Sequence, residues 1–329
     1  MDLLAIVGLM VLLYYLVYII CPWFLDCDLN LAIHEKFGKP IGCLKGKVVW
    51  ITGASSGIGE YLAYVLGSAG CKLILTARRN DELERVKANC LQRNRDLKDS
   101  DVQVLPLDIC EVNRHEILFK QIISTFGKLD ILVNNAGRSQ RAKWEDIDVS
   151  VDKEMFDLNV FSQVALSRLV AKYFLKMGEG HMVVNSSLAG VGAVAFSATY
   201  CATKHALHGY FNSFCIEKVG TNVACTLVCP GPVQSNLLSE CYTEKPGEKY
   251  GVRMKENSEN KVSTERCATL MGIAIANKIH EVWISKPLIL QIVYLRIYYP
   301  NLGTWILKTL GPRFLQRLRD DSATLKQEK

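Results

Sequence analysis

Residues 3–25 carry apolar and aromatic side chains without one charge, and as a helix they would reach about 34 Å, enough to cross a bilayer's hydrocarbon core. No basic stretch precedes the run. No small-x-small cleavage pattern follows it either; Cys21-Pro22-Trp23-Phe24 and Asp26 stand there instead, so the pattern is expected to be a retained anchor rather than a removed signal. Lys36, Lys39, Lys45 and Lys47 lean toward a cytosolic catalytic domain, a bias diluted by Asp26, Asp28 and Glu35.

Past the anchor the period changes. Residues 26–45 read as a connecting segment with a short amphipathic stretch over 31–37, ended by Gly38 and Pro40. Short β-branched runs then recur at 47–52, 72–77, 102–107, 129–133, 181–185, 222–228 and 281–284. Helix-period segments lie between them at 60–66, 81–95, 111–126, 151–176, 198–217 and 264–276. This alternation predicts an α/β chain with a doubly wound, Rossmann-like parallel sheet, helices on both faces and an N-terminal transmembrane helix. The expected organisation is an anchor (1–25), a linker (26–45), a dinucleotide-binding catalytic domain (46–286) and a C-terminal amphipathic extension and tail (287–329) broken at Pro300 and Pro312. That extension suits either a bilayer surface or a cover over the core. The polar stretch 236–261, with Pro246-Gly247, is expected to be a lid.

Composition narrows the classes. A chain of 329 residues, 49% hydrophobic, can bury one large core. The net charge of +6 is spread out, with no basic stripe interleaved with aromatics, so nucleic acid is not an expected partner. Twelve cysteines are scattered with neither C-x-x-C nor zinc-type spacing, which favours buried thiols and no metal.

Candidate chemistry sits at the ends of the predicted strands. Gly53, Gly57 and Gly59, with Ser55, Ser56 and Ile58 between them, join a strand to a helix. Such a loop either makes an ordinary tight turn or lets backbone amides and a helix N-terminus approach a pyrophosphate. The second strand ends in Arg78 and Arg79 with no acid, a pattern that favours a ribose 2′-phosphate and hence NADP(H) over a solvated helix start. Asp108, ending the third strand, suits an adenine contact or a helix cap. Tyr200 and Lys204 lie one helical turn apart, so the ammonium is expected to lower the phenol below its usual pKa of about 10. Alone, that pair is more often packing beside a solvated charge. Ser187, ending the run 181–187, raises its meaning, because its hydroxyl could bond a carbonyl or alcohol oxygen next to the tyrosine.

Together with Asn134-Asn135-Ala136-Gly137, Asn159 and Pro230-Gly231, these residues resemble the short-chain dehydrogenase/reductase family over roughly residues 47–285. The resemblance implies Tyr200 as catalytic acid/base, Ser187 orienting the substrate oxygen, Lys204 on the nicotinamide ribose and Asn159 in a proton relay to Lys204. It also implies cofactor contacts from Asn135, Ala136, Gly137, Val233 and Ser235. Ser235 stands where threonine is common, and Arg138 adds a charge after the asparagine motif. Glu281-Val282-Trp283-Ile284-Ser285 and the anchor narrow the likeness to membrane-bound members. These imply the endoplasmic reticulum membrane, steroid, retinoid or xenobiotic carbonyls, and homodimers formed through helices from Val151 and Ala198. The apolar stretch 188–196 agrees with a lipophilic carbonyl or alcohol substrate. An NAD-preferring alcohol dehydrogenase and a non-catalytic membrane-tethered nucleotide- or lipid-binding scaffold are the competing expectations.

Overall fold

The computed structural model describes residues 3–235, 238–252 and 261–320. Seven strands form one sheet: β1 (Val48–Thr52), β2 (Lys72–Thr76), β3 (Val102–Val104), β4 (Ile131–Asn134), β5 (Glu179–Asn185), β6 (Asn222–Pro230) and β7 (Glu281–Ile284). All pair in parallel in the order β3-β2-β1-β4-β5-β6-β7. Chain order reverses between β1 and β4. The strand ends therefore open a crevice there, where ligands of such sheets bind.

The helices are α1 (Leu3–Ile20), α2 (Leu29–Phe37), α3 (Gly57–Ser68), α4 (Asn80–Arg93), α5 (His115–Phe126), α6 (Val149–Phe156), α7 (Ser162–Met177), α8 (Ala198–Glu217), α9 (Thr264–Asn277), α10 (Ile289–Tyr298), α11 (Pro300–Leu310) and α12 (Pro312–Asp320). Every residue of β1 is buried because helices cover both faces. On one face Val49 and Ile51 pack with Leu62 of α3, Leu83 of α4 and Leu270 of α9. On the other, Val48 and Trp50 meet Leu118 of α5, Leu166 of α7 and Leu207 of α8.

Three local outcomes differ in detail from the sequence pattern. The ladder of β3 ends at Val104, before Pro106 removes a donor, although Leu105 and Leu107 amides still reach the carbonyls of Leu75 and Ala77. The expected helix over 151–176 is interrupted by a π-helical turn, Asp157–Phe161, between α6 and α7. Residues 26–45 are docked along their length. The Asp28 carboxylate caps α2 by accepting from the Leu31 amide at 2.9 Å and also accepts from the Trp283 amide at 2.6 Å. Cys27 pairs with Ile284, and Arg266 grips Asp26 through two bonds of 2.8 and 2.9 Å. The outer edge of β7 is thereby covered.

The apolar N-terminal helix, with its continuation to Trp23, spans 21 residues with a mean hydropathy of 2.7 and a helical part left unburied, long and apolar enough to cross a membrane. Proline starts both α11 and α12, where its missing amide costs nothing. Of the expected lid, 238–252 form a small cluster around Leu238, Cys241 and Tyr250, while 236–237 and 253–260 lie outside the described residues. So does the tail from 321.

Candidate active site

A cavity of about 1230 Å³ opens at the carboxyl ends of the central strands. It is lined by Gly53, Ser55, Ser56, Gly57, Ile58, Arg78, Arg79, Asp108, Asn135, Ala136, Gly137, Ser187, Tyr200, Lys204, Val233 and Ser235. Of the residues singled out from the sequence, Gly59 and Asn159 stand behind this lining.

The glycine loop is built for close approach. Gly53 has φ +66°, and a Cβ there would sit 2.8 Å from the Ala136 Cα. A Cβ on Gly59 would meet Asn135 Nδ2 at 2.4 Å and the Gly53 carbonyl at 2.5 Å. Side chains cap α2, α6 and α9, but none caps α3 at Ser56. Ser56 thus leaves the first amides of α3 uncapped at the cavity edge, an arrangement suited to an anion. Asn135 clamps the loop from the opposite side: its Nδ2 donates to the carbonyls of Thr52 and Gly53 at 3.0 and 3.1 Å, and its Oδ1 accepts from Asn185 at 2.8 Å. Thr52 Oγ1 accepts from the amides of Asn135 and Ala136.

At the rim, Arg79 donates to Ser55 Oγ at 3.2 Å and Arg78 lies 3.8 Å from Asp108. Asp108 accepts from the Cys110 amide within a turn; it does not cap α5, which begins at His115. Ser235 faces the glycine loop, 3.7 Å from where a Gly57 Cβ would stand.

Ser187 Oγ accepts from the Ala189 amide at 3.1 Å and donates to the Pro230 carbonyl at 3.2 Å, which fixes the hydroxyl at the end of β5. Lys204, 5% exposed, donates from Nζ to the Asn185 carbonyl at 2.8 Å and sits 5.7 Å from the Tyr200 ring centre. The expected acidification of Tyr200 by Lys204 requires correction. Burial pushes the phenol up to about 12, opposed by a hydrogen bond with Ser187 and the charge of Arg141. Burial also brings the Lys204 ammonium down to about 8. The reason is geometric: the ammonium is committed to a backbone carbonyl, and both groups have lost water.

Asn159, fully buried in the π turn, accepts from the Arg138 amide at 2.9 Å and donates to the Arg138 carbonyl at 2.9 Å and to Thr203 Oγ1 at 3.1 Å. It ties the loop after Gly137 to the helix that bears Tyr200. Its Oδ1 would lie 3.0 Å from a Gly137 Cβ, a tight contact that the glycine avoids.

Sequence reasoning missed one side of the cavity. Ile289, Ile292 and Val293 of α10, Leu307 of α11, and Leu315, Gln316 and Arg319 of α12 also line it. Arg141 is another lining residue without a motif; its guanidinium makes two bonds of 2.7 Å to Asp320 of α12. The apolar spacing of 288–318 suited either a bilayer surface or a cover over the core; the structure lays part of it along the cavity.

Residues 47–246 match the family model for short chain dehydrogenase. The chain is 41% identical over 299 residues to dehydrogenase/reductase SDR family member 7 of Mus musculus, covering 90% of this chain and 87% of that one. The Homo sapiens protein of the same name is 40% identical, with 89% and 86% covered. A solved short-chain dehydrogenase/reductase from Burkholderia phymatum in complex with NAD superposes with a TM-score of 0.67 at 24% identity, covering 79% of this chain and 95% of that one. Sheet order, crevice and sequence matches agree, and the chain belongs to the short-chain dehydrogenase/reductase family of oxidoreductases.

Proposed function

We propose that this chain is an NADPH-dependent reductase of lipophilic carbonyl compounds. The observation that carries the reading is that Ser187, Tyr200 and Lys204 share one cavity with the glycine cradle and the Arg78-Arg79 rim. The residues fit a nicotinamide dinucleotide: the uncapped start of α3 suits its pyrophosphate, the glycines leave room a Cβ would fill, and no carboxylate ends β2. Arg78 and Arg79 would hold a 2′-phosphate by charge-assisted hydrogen bonds. Lys204, Asn135, Gly137, Val233 and Ser235 would hold the nicotinamide half.

When bound, the reduced nicotinamide supplies hydride to the substrate's carbonyl carbon. Tyr200 delivers its phenolic proton to the substrate oxygen as charge gathers there. A phenol held near pKa 12 keeps its proton at neutral pH, which suits donation rather than abstraction. Ser187, its oxygen held by the Ala189 amide, would turn its one hydroxyl proton from the Pro230 carbonyl to that oxygen and so add a hydrogen bond to it. Lys204, held by the Asn185 carbonyl, would bind the nicotinamide ribose beside the phenol, and Asn159 holds the loop and helix around it in register.

Apolar residues on the C-terminal helices favour steroid, retinoid or aromatic ketone and aldehyde substrates. The apolar anchor and the likeness to the member 7 proteins support an endoplasmic reticulum membrane location. Exposed Leu175, Tyr210 and Ile216 on α7 and α8 support a homodimer through those helices.

The test is NADPH consumption by the full-length protein across a panel of lipophilic carbonyls. Tyr200→Phe should lower kcat roughly 10²–10⁴-fold while NADPH binding, followed by fluorescence, persists. Turnover by the variant at the wild-type rate, or none by the wild type with any member of the panel, would reject the reading.

A further inference from the structure

The wall of the cavity nearest the first turn of α8 is held by a buried ion cluster whose members come from distant parts of the chain. Arg141, 5% exposed, makes its paired bonds to Asp320, 4% exposed. The same Arg141 donates to Ser139 Oγ at 3.0 Å, to the Gln140 carbonyl at 2.6 Å and to Ser197 Oγ at 3.4 Å. Arg319 bonds Asp320 at 3.2 Å and donates to the Ala195 carbonyl and to Ser197 Oγ, both at 3.0 Å. Gln140 completes the frame: its carbonyl accepts from Ser197 Oγ at 2.6 Å and its Oε1 accepts from the Thr199 amide at 3.1 Å. Ser197 and Thr199 flank the start of the helix whose third residue is Tyr200. Two routes, through Arg141 and through Arg319, therefore run from Asp320 to the backbone that carries the phenol.

We propose that Asp320 is a positioning residue for proton transfer, acting through Arg141 on the placement of Tyr200 and on the charge that the phenol faces. This rests on the reading of Tyr200 as proton donor. One buried and one partly buried guanidinium with one carboxylate leave a net charge of +1 beside the tyrosine; removing the carboxylate leaves +2. Arg141 pulls the phenol toward ionisation, and Asp320 limits that pull. The other ionisable groups around the phenol are Lys204 on its own helix, Cys201 next to it, and Cys241 and Tyr242 from the segment between β6 and α9. Both thiols are pushed up by burial and stay neutral near pH 7. Tyr250, beside the ion cluster, is raised as well. Asp320 and Arg141 are thus the opposed pair whose removal changes the phenol's surroundings in opposite senses.

The experiment is the pH profile of kcat/KM for alcohol oxidation, which needs the ionised phenol, with ultraviolet difference titration of phenolate against Tyr200→Phe as a readout independent of turnover. Asp320→Asn should move the phenol midpoint down by roughly one unit, and Arg141→Gln should move it up by a similar amount. Arg141→Lys should keep the midpoint near wild type while lowering kcat through the lost bidentate geometry. Asp320→Glu should restore the wild-type midpoint. A midpoint that stays fixed in Asp320→Asn and Arg141→Gln, even with activity lost, makes the cluster structural only and overturns the proposal. Opposite shifts in the difference titration of a protein that turns nothing over would sustain the coupling and reject the reductase reading instead.

Discussion

Arg78 and Arg79 bear most directly on which dinucleotide is used. Arg79 is steadied by Ser55, and Arg78 stands near Asp108. Replacing Arg78 with Asp removes a cation and adds an anion where a 2′-phosphate would lie. With hydrogen bonds to charged groups contributing about 1.5–3 kcal/mol, NADPH affinity should fall roughly ten- to hundredfold while NADH binding holds or tightens. Competitive fluorescence titration of both nucleotides measures this, and equal losses for the two would remove the NADP(H) assignment. The arginines were legible because they follow the glycine loop at the end of the next strand. The ionisation of Tyr200 was not, because spacing gives proximity but not competition: the sequence could not show that the Asn185 carbonyl accepts a hydrogen bond from the Lys204 ammonium.

Among the elements, β5 shows how burial turns into pH dependence. His181 is 3% exposed between neighbouring strands and hydrogen-bonded to Thr226 Oγ1 at 2.8 Å. Burial drives its pKa from 6.5 down to about 3. Between those values the unfolded chain binds the proton and the folded chain does not. Its contribution to stability is therefore complete above about pH 6.5 and is lost as pH falls toward 3, at up to about 1.4 kcal/mol per unit. Urea midpoints measured from about pH 7 to 5 should fall, and His181→Asn should flatten the slope. An unchanged slope would mean that the imidazole is not held neutral. His115, also lowered by burial, supplies a residual slope of the same sign. At this scale α8 and β7 were read from the sequence with their observed ends. The π turn was not, because it follows from Asn159 reaching the Arg138 backbone, a contact that no local pattern encodes.

Across the whole molecule, the apolar N-terminal helix stands apart from the packed body: its helical part is left unburied. Deleting residues 1–20 should leave the melting temperature unchanged and allow an alkaline wash to release the protein from membranes, while the full chain resists the wash. A large drop in melting temperature would show that the helix packs on the body after all. Docking of 26–45 against β7 explains why the cut belongs before Cys21: the Asp26–Arg266 and Asp28–Trp283 contacts remain. The sequence indicated the order of segments but not that both the linker and the last helices close over the sheet, since those contacts join positions more than a hundred residues apart.

One consequence follows from Asp320 lying beyond every strand. Translation runs from α1 toward α12, so a nascent chain holds its glycine loop, Ser187, Tyr200 and Lys204 well before it holds the carboxylate that pairs with Arg141. A product ending before Pro312 would carry all the recognisable motifs of an oxidoreductase and still lack one wall of its reaction chamber. Motif content alone would then overstate the competence of any shortened isoform.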